Sequence, residues 1–301
     1  MKKTIFLLPA LLLGLAGCNK QPESNYNLEL KVLAPTGAPA VGLYQFATSE
    51  NFTTTTNPQT GLMPMFKSNE YDVIVAPTHG GLNQIINQGA NFSLAATITF
   101  GNFYIVSMGT DSNNTLDAGD KIIIFQENDV PGKVFNYLYG DLGLSVTAVA
   151  AATDTKMILT NNGIFDGVQY DYVYTAEPVM SATSKTAFIN VQEAFKEKSG
   201  NKMMTQASVF IRNSVESAKA DKFLSSLKKG IEDGLNDPDL IKTEIEKLGS
   251  TAEQQNKFGV PGAMAKKVST NNGFGLGFKY ASEIEEDIKA FVKIVNPNLE
   301  L

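Results

Sequence analysis

Chemically reactive side chains are scarce in this chain. Its 301 residues hold a single cysteine (Cys18), a single histidine (His79) and a single arginine (Arg212). With one thiol, no disulfide can close within the chain. One histidine and one cysteine leave no metal-ligand cluster, and a Ser–His–Asp set would rest on His79 alone. Basic residues number 25 against 31 acidic, a net of −6, with no basic stripe of the kind nucleic acids require. Past Leu15 no apolar run approaches the roughly 20 residues that span a bilayer. A phosphate loop is missing as well. Gly273-Phe274-Gly275-Leu276-Gly277 has neither the strand-to-helix setting nor the following lysine, and reads as a flexible turn. No metal and no cofactor is expected, and nucleic acid is excluded as a partner.

The N-terminus carries an address. Lys2 and Lys3 precede an apolar run, Ile5 to Leu15, that ends in Leu15-Ala16-Gly17-Cys18. Basic, then apolar, then small is the order of a signal peptide, and the last four residues resemble the lipobox of bacterial lipoproteins. The resemblance implies cleavage before Cys18 and lipidation of its side chain. Residues 1–17 are therefore expected to be a lipoprotein signal peptide and residues 18–27, polar with one proline, a tether to the membrane. The alternative is a secretory signal with an incidental cysteine.

About 275 residues remain, more than one small core organises, and they fit two lobes. The charge is uneven: residues 108–200 carry a net of −6, residues 28–107 a net of −2, and residues 201–301 balance. The organising stretch is Tyr71 to Gly109. Asp72 to Ala76 is a continuous β-branched run of the kind a parallel strand buried on both faces shows. Pro77-Thr78-His79-Gly80-Gly81 then opens a helix, with Thr78 placed as N-cap over Leu82, Ile85 and Ile86. Helices that begin at the carboxyl ends of parallel strands aim free N–H groups at the edge where open α/β sheets hold ligands.

The same arrangement recurs along the chain. Leu28 to Leu33 is expected as a first strand, followed by a turn of small residues, Ala34 to Pro39. Phe92 to Ile98 is a third strand candidate, and Phe103 to Met108 carries the chain away. Lys121 to Phe125 starts the pattern afresh, with Pro131 in the first turn of the next helix. Leu144 to Val149 and Tyr172 to Thr175 are further strands. Gln206 to Arg212 is a later strand that can run back beside Phe103 to Met108, and helices are expected over Phe223 to Ile231, Leu240 to Leu248 and Glu283 to Val295.

This order of segments resembles the type II periplasmic solute-binding proteins, of the branch that includes sulfonate, taurine, nitrate and thiamine-precursor binding proteins of ABC importers. The motifs that carry the resemblance are APTGAPAVGLYQFA at Ala34, YDVIVAPTHGG at Tyr71, ITFGNFYIVS at Ile98, TLDAGDKIIIF at Thr115, YTAEPVMSATSK at Tyr174 and QASVFI at Gln206. Phe100 stands where a tryptophan is usual, and His79 where small polar residues are. The resemblance implies an α/β fold of two lobes, each a mostly parallel sheet flanked by helices, joined by hinge strands. Residues 28–107 and 203–301 would form lobe 1 and residues 108–202 lobe 2. It further implies a monomer that captures a small molecule, is anchored to the membrane through its lipid on the extracytoplasmic face, and delivers its ligand to an ABC permease.

Carried over by position, the ligand-binding residues would be Thr36, Gly37, Ala38, Thr78, His79, Gly101, Asn102, Gln126, Asn128 and Glu177. Each has a plainer reading. Gly37 and Gly101 can serve backbone geometry alone, His79 can bond nearby backbone, and Glu177 can accept from a helix N-terminus. Arg212 lies outside these loops, so the fork that suits an anion is not expected in the cleft, and the acidic middle third adds an opposing field. A neutral or cationic, heteroaromatic vitamin precursor is the expected ligand, with Glu177 accepting from a ring amine. An alkyl sulfonate or nitrate is the alternative. Two other classes stand beside this one: a surface lipoprotein that binds protein partners, and an enzyme on the same fold, which the scarcity of nucleophile and base argues against.

Overall fold

The computed structural model describes residues 27–109, 115–186 and 189–301. Cys18, with the expected signal peptide and all but the last residue of the expected tether, lies outside them. The first part of the chain forms β1 (Val32–Pro35), the one-turn helix α1 (Ala38–Val41), β2 (Phe52–Thr55), α2 (Pro58–Gly61), β3 (Val73–Pro77), α3 (Thr78–Ile86) and β4 (Phe92–Thr99). There follow β5 (Phe103–Ser107), β6 (Lys121–Phe125), α4 (Val130–Tyr139), β7 (Ser145–Val149), α5 (Ala152–Thr160) and a hairpin of β8 (Ile164–Phe165) and β9 (Val168–Gln169). Next come β10 (Tyr172–Ala176), β11 (Ile189–Asn190), α6 (Val191–Lys198) and β12 (Ala207–Arg212). The chain closes with α7 (Ser217–Asn236), α8 (Pro238–Glu246), α9 (Thr251–Phe258), α10 (Gly262–Thr270), β13 (Leu276–Tyr280) and α11 (Glu285–Val295). Among the described residues no helix is long and apolar enough to cross a membrane.

Two sheets organise these elements, in the orders β13-β4-β12-β3-β1-β2 and β11-β5-β10-β6-β7. In the first, β1 runs parallel to β2 and β3, and β12 runs antiparallel between β3 and β4. The second repeats the plan, with β6 parallel to β7 and β10, and β5 antiparallel between β10 and β11. In each sheet a strand that arrives from the other lobe, β12 in the first and β5 in the second, runs antiparallel to its neighbours, and β13 adds an antiparallel edge beside β4. The chain leaves the first sheet through Phe100 to Asn102 to become β5, and returns after α6 to become β12. The two-lobe, mostly parallel α/β architecture expected from the sequence is the observed one.

Two details differ from expectation. Gln206 to Arg212 does not lie beside Phe103 to Met108; β12 pairs with β3 and β4 in the first sheet. Phe103–Ser107, expected to end lobe 1, is a strand of the second sheet. Both follow from one physical fact: a crossing strand finds its backbone partners in the lobe it enters.

The apolar runs are continuous because both faces of each sheet are covered. Val73 and Val75 of β3 pack with Phe223 and Leu227 of α7 in one core, while their neighbours Ile74 and Ala76 pack with Leu82 of α3 in another. The second sheet does the same. Ile122 and Ile124 join Phe135 of α4 on one side, and Ile123 joins Ile158 of α5 on the other. Each such side chain contributes about 1.5–3 kcal/mol on full burial.

Candidate functional site: a cleft between the two sheets

The carboxyl ends of the parallel strands in both sheets face one cavity of about 660 Å³. That lies within the roughly 300–1,000 Å³ of small-molecule sites. The first lobe supplies Pro35, Ala38, Pro77, His79 and Thr99; the second supplies Phe103, Phe125, Gln126, Asp129 and Ala176. Asn102 lines it from the outgoing crossover and Gln206 from the return, just ahead of β12. Among the described residues that line it, Asp129 is the one with a formal charge at neutral pH, and no lysine or arginine is present.

His79 stands in the first turn of α3, at the cavity wall. Burial holds its pKa below the ordinary value, helped by the charge of Lys133 and opposed by that of Asp129. The ring is accordingly neutral near pH 7, and its Nδ1 is buried with no hydrogen-bond partner among the described residues. Thr99 is 1% exposed, and its hydroxyl also has none. The Gln206 side chain donates from Nε2 to Asn102 Oδ1 at 3.3 Å, leaving Oε1 buried and unpartnered. Unpaired polar groups at this density are unusual in a protein interior.

Of the ten residues expected at the site, Ala38, His79, Asn102 and Gln126 line the cavity and six do not. Thr36 and Gly37 spend their N–H groups on Thr55 O and Phe258 O, each at 2.9 Å, and so tie β1 to β2 and α9. Thr78 is not an N-cap: Pro77 holds that position, and the Thr78 hydroxyl is buried against Ser208 Oγ at 2.7 Å. Gly101, with φ 102°, sits where a Cβ would run into the Gln192 side chain, and the missing Cβ of Gly275 leaves room for the Gly101 carbonyl. Asn128 lies outside the lining. Glu177 lies outside it too, because the turn after β10 folds back and places Ser181 over its carboxylate. Ser181 N and Oγ donate to it at 2.9 and 2.8 Å. Its pKa is raised, chiefly by burial.

Sequence reasoning missed Thr99, Gln206 and Asp129. Thr99 and Gln206 flank the two crossovers, and the only available signal was their position next to the Phe100-Gly101-Asn102 link and at the head of QASVFIR. Arg212 stands at the other end of β12 from Gln206. Its Nε donates to Tyr71 O at 3.0 Å and its Nη2 to Ser68 O at 2.8 Å, and the guanidinium lies 4.8 Å from the Phe92 ring centroid. Its role there is structural.

No family model and no curated protein matches the chain. Solved structures do, and the fold they share with it is that of the periplasmic solute-binding proteins. A protein described as an ABC transporter from Parabacteroides distasonis superposes with a TM-score of 0.68 at 14% identity, covering 90% of this chain and 93% of its own. The periplasmic aliphatic sulphonate-binding protein SsuA of Escherichia coli gives 0.58 at 11% identity, covering 87% of each chain. The alkanesulfonate-binding SsuA of Xanthomonas axonopodis pv. citri, bound to MOPS, gives 0.50 at 13% identity over 88% of this chain and 93% of its own. At such identities the similarity is one of fold.

Proposed function

We propose that this chain is an extracytoplasmic substrate-binding protein, anchored through Cys18, that captures a small molecule between its lobes and delivers it to an ABC importer. The carrying observation is the cavity itself, with one wall from each sheet and the polar residues His79, Asn102, Gln126 and Gln206 in its lining. A ligand there touches both lobes at once when they close, so it shifts the open–closed equilibrium by its differential affinity, and a permease reads the closed face. The chain acts by binding and not by catalysis. For ligand class the lining favours a neutral or cationic molecule, of the heteroaromatic vitamin-precursor kind, over a sulfonate or nitrate. Among the described residues no cationic side chain lines the cavity, His79 is held neutral, and Asp129 opposes an anion. Phe103 and Phe125 add apolar surface for a ring.

A thermal-shift screen tests the reading. A ligand at about 100 times its dissociation constant adds about 2.7 kcal/mol to the native state. A library with thiamine precursors, flavins and sulfonates is expected to contain a stabilising compound. Silence across such a library, from a protein that melts cooperatively, counts against a binding role.

A further inference from the structure

A left-handed backbone singles out one residue of the cleft. Among the described residues, five that are not glycine have a positive φ: Gln126, Asn162, Asp166, Asn201 and Asn272. Four are Asn or Asp, whose short polar side chains tolerate this conformation. Gln126, at φ 49°, is the fifth, and of the five it alone lines the cavity. Glycine or asparagine would make the same turn with less strain. A longer side chain held there against the preference of the backbone marks a position where the side chain itself is used.

The loop leaves that side chain available. The Gln126 N–H donates to Val149 O at 3.0 Å, and its carbonyl accepts from the N–H groups of Asp129 at 3.0 Å and Gly132 at 3.3 Å. With both backbone groups taken, what this exposed residue offers the cavity is its carboxamide, which has no hydrogen-bond partner among the described residues. Gln84 of α3, half-buried, brings a second carboxamide of this kind to the lining from the first lobe. A carboxamide holds a donor and an acceptor side by side in one plane. Its counterpart is an edge with the same pair reversed, which is how Asn and Gln read the edge of adenine. Pro35, Pro77 and Val130 add apolar surface to the lining for the faces of a flat ring.

Resting on the substrate-binding reading, we infer that Gln126 is the specificity-determining residue of the second lobe, and that the ligand is a neutral planar molecule with a donor beside an acceptor. A carboxamide, a lactam or an amino-substituted nitrogen ring meets this requirement. Sulfonate and nitrate carry acceptors alone and answer just the Nε2 half of the group. Closure takes the carboxamide out of water, so a ligand that leaves Oε1 unanswered forfeits what hydration supplied.

The test titrates the mature chain with nicotinamide and cytosine, which carry a donor beside an acceptor. Methyl nicotinate, which keeps the ring but only accepts, and hexanesulfonate are the contrasting probes. Thermal shift and calorimetry at millimolar probe give the readout. Nicotinamide or cytosine is expected to bind the wild type at least about tenfold tighter than either contrasting probe, equivalent to about 1.4 kcal/mol. Gln126→Gly suits the left-handed backbone, so it is expected to keep or raise the melting temperature while weakening the bound probe at least about tenfold. A residue there for the turn alone would give the stability without the loss of affinity. Gln126→Met keeps the length and the strain and loses the amide; it serves if Gln126→Gly melts non-cooperatively. Unchanged affinity in a variant that melts cooperatively overturns the inference. Equal or tighter binding of methyl nicotinate or hexanesulfonate overturns it too, yet leaves the substrate-binding reading standing. No binding of nicotinamide or cytosine also overturns it, whereas the substrate-binding reading falls only if the wider metabolite library is silent as well.

Discussion

Phe291 and Val292, neighbours on α11, are both fully buried, and in different cores. Phe291 packs with Phe135 and Phe195 among the second lobe's side chains, Val292 with Leu33 and Phe210 of the first. The helix therefore straddles both lobes, with Asp287 accepting from the N–H of Met203 on the return crossover at 2.7 Å. Closure of the cleft has to pivot about this helix as well as the two crossovers. Phe291→Ala is expected to cost about 3–5 kcal/mol through the cavity it leaves. Urea unfolding followed by circular dichroism measures it, and a loss under 1 kcal/mol, on the order of a surface substitution, contradicts the placement.

Arg212 separates stability from binding. Its Nε and Nη2 donate to the carbonyls of Tyr71 and Ser68, and a lysine cannot reproduce the fork. Arg212→Lys is expected to lower stability by about 1–3 kcal/mol. Calorimetry with an identified ligand should show an unchanged dissociation constant. A weakened affinity for an anionic ligand would show that the arginine reaches the cleft after all.

Gly81 explains why the loop reads His-Gly-Gly. A Cβ there would run into the Phe210 ring, which is fully buried and held edge-on by Phe66 at 5.4 Å. α3 can lie against β12 only without that atom. Gly81→Ala is expected to cost about 1–3 kcal/mol from overpacking, against the gain that alanine brings to an unobstructed helix position. A stabilised Gly81→Ala protein in thermal denaturation contradicts the packing described.

These particulars show what a linear pattern can and cannot carry. β3, β6 and β10 were legible because strands covered on both faces are apolar at every position. β12, which lies beside β3, is equally legible as a strand, but periodicity holds no information on pairing, so its partners differ from those expected. α9 went unseen because TAEQQNKF buries just Gln254 and Phe258. His79 and Gln126 line the cavity, as their places after strands suggest. Thr99 and Gln206 are not legible in this way, since their place at the cavity depends on where two crossovers meet. Glu177 lies outside the lining for a local reason: Ser181, four residues on, donates to its carboxylate.

The anchor is tested outside the described residues. Cys18 is the only thiol, so Cys18→Ser is expected to abolish incorporation of labelled palmitate and release the chain from the membrane fraction. Unchanged labelling in that variant sinks the lipobox reading.

The cleft and the hinge should impose opposite pH dependences on stability. Burial raises the pKa of Glu177 above its ordinary 4.5, against the pull of the Ser181 bonds and Lys267. The folded state then holds the proton more tightly than the unfolded one, so this group's contribution is full at low pH and declines as pH rises through the folded pKa. Burial and Lys133, against Asp129, lower the pKa of His79 below 6.5. Here the unfolded state binds the proton better, so the contribution is full above 6.5 and declines as pH falls from there through the folded pKa. The Glu177 slope begins at 4.5 and runs upward in pH, the His79 slope begins at 6.5 and runs downward, and the two have opposite signs. Other carboxylates titrate near these values too, but they are common to all variants and cancel in difference curves. Relative to wild type, Glu177→Gln is expected to gain melting temperature as pH rises above 4.5, and His79→Gln to lose it as pH rises toward 6.5. A flat difference curve for Glu177→Gln means its carboxyl is solvated in the folded protein, and a flat curve for His79→Gln means the ring is free to protonate in the cleft.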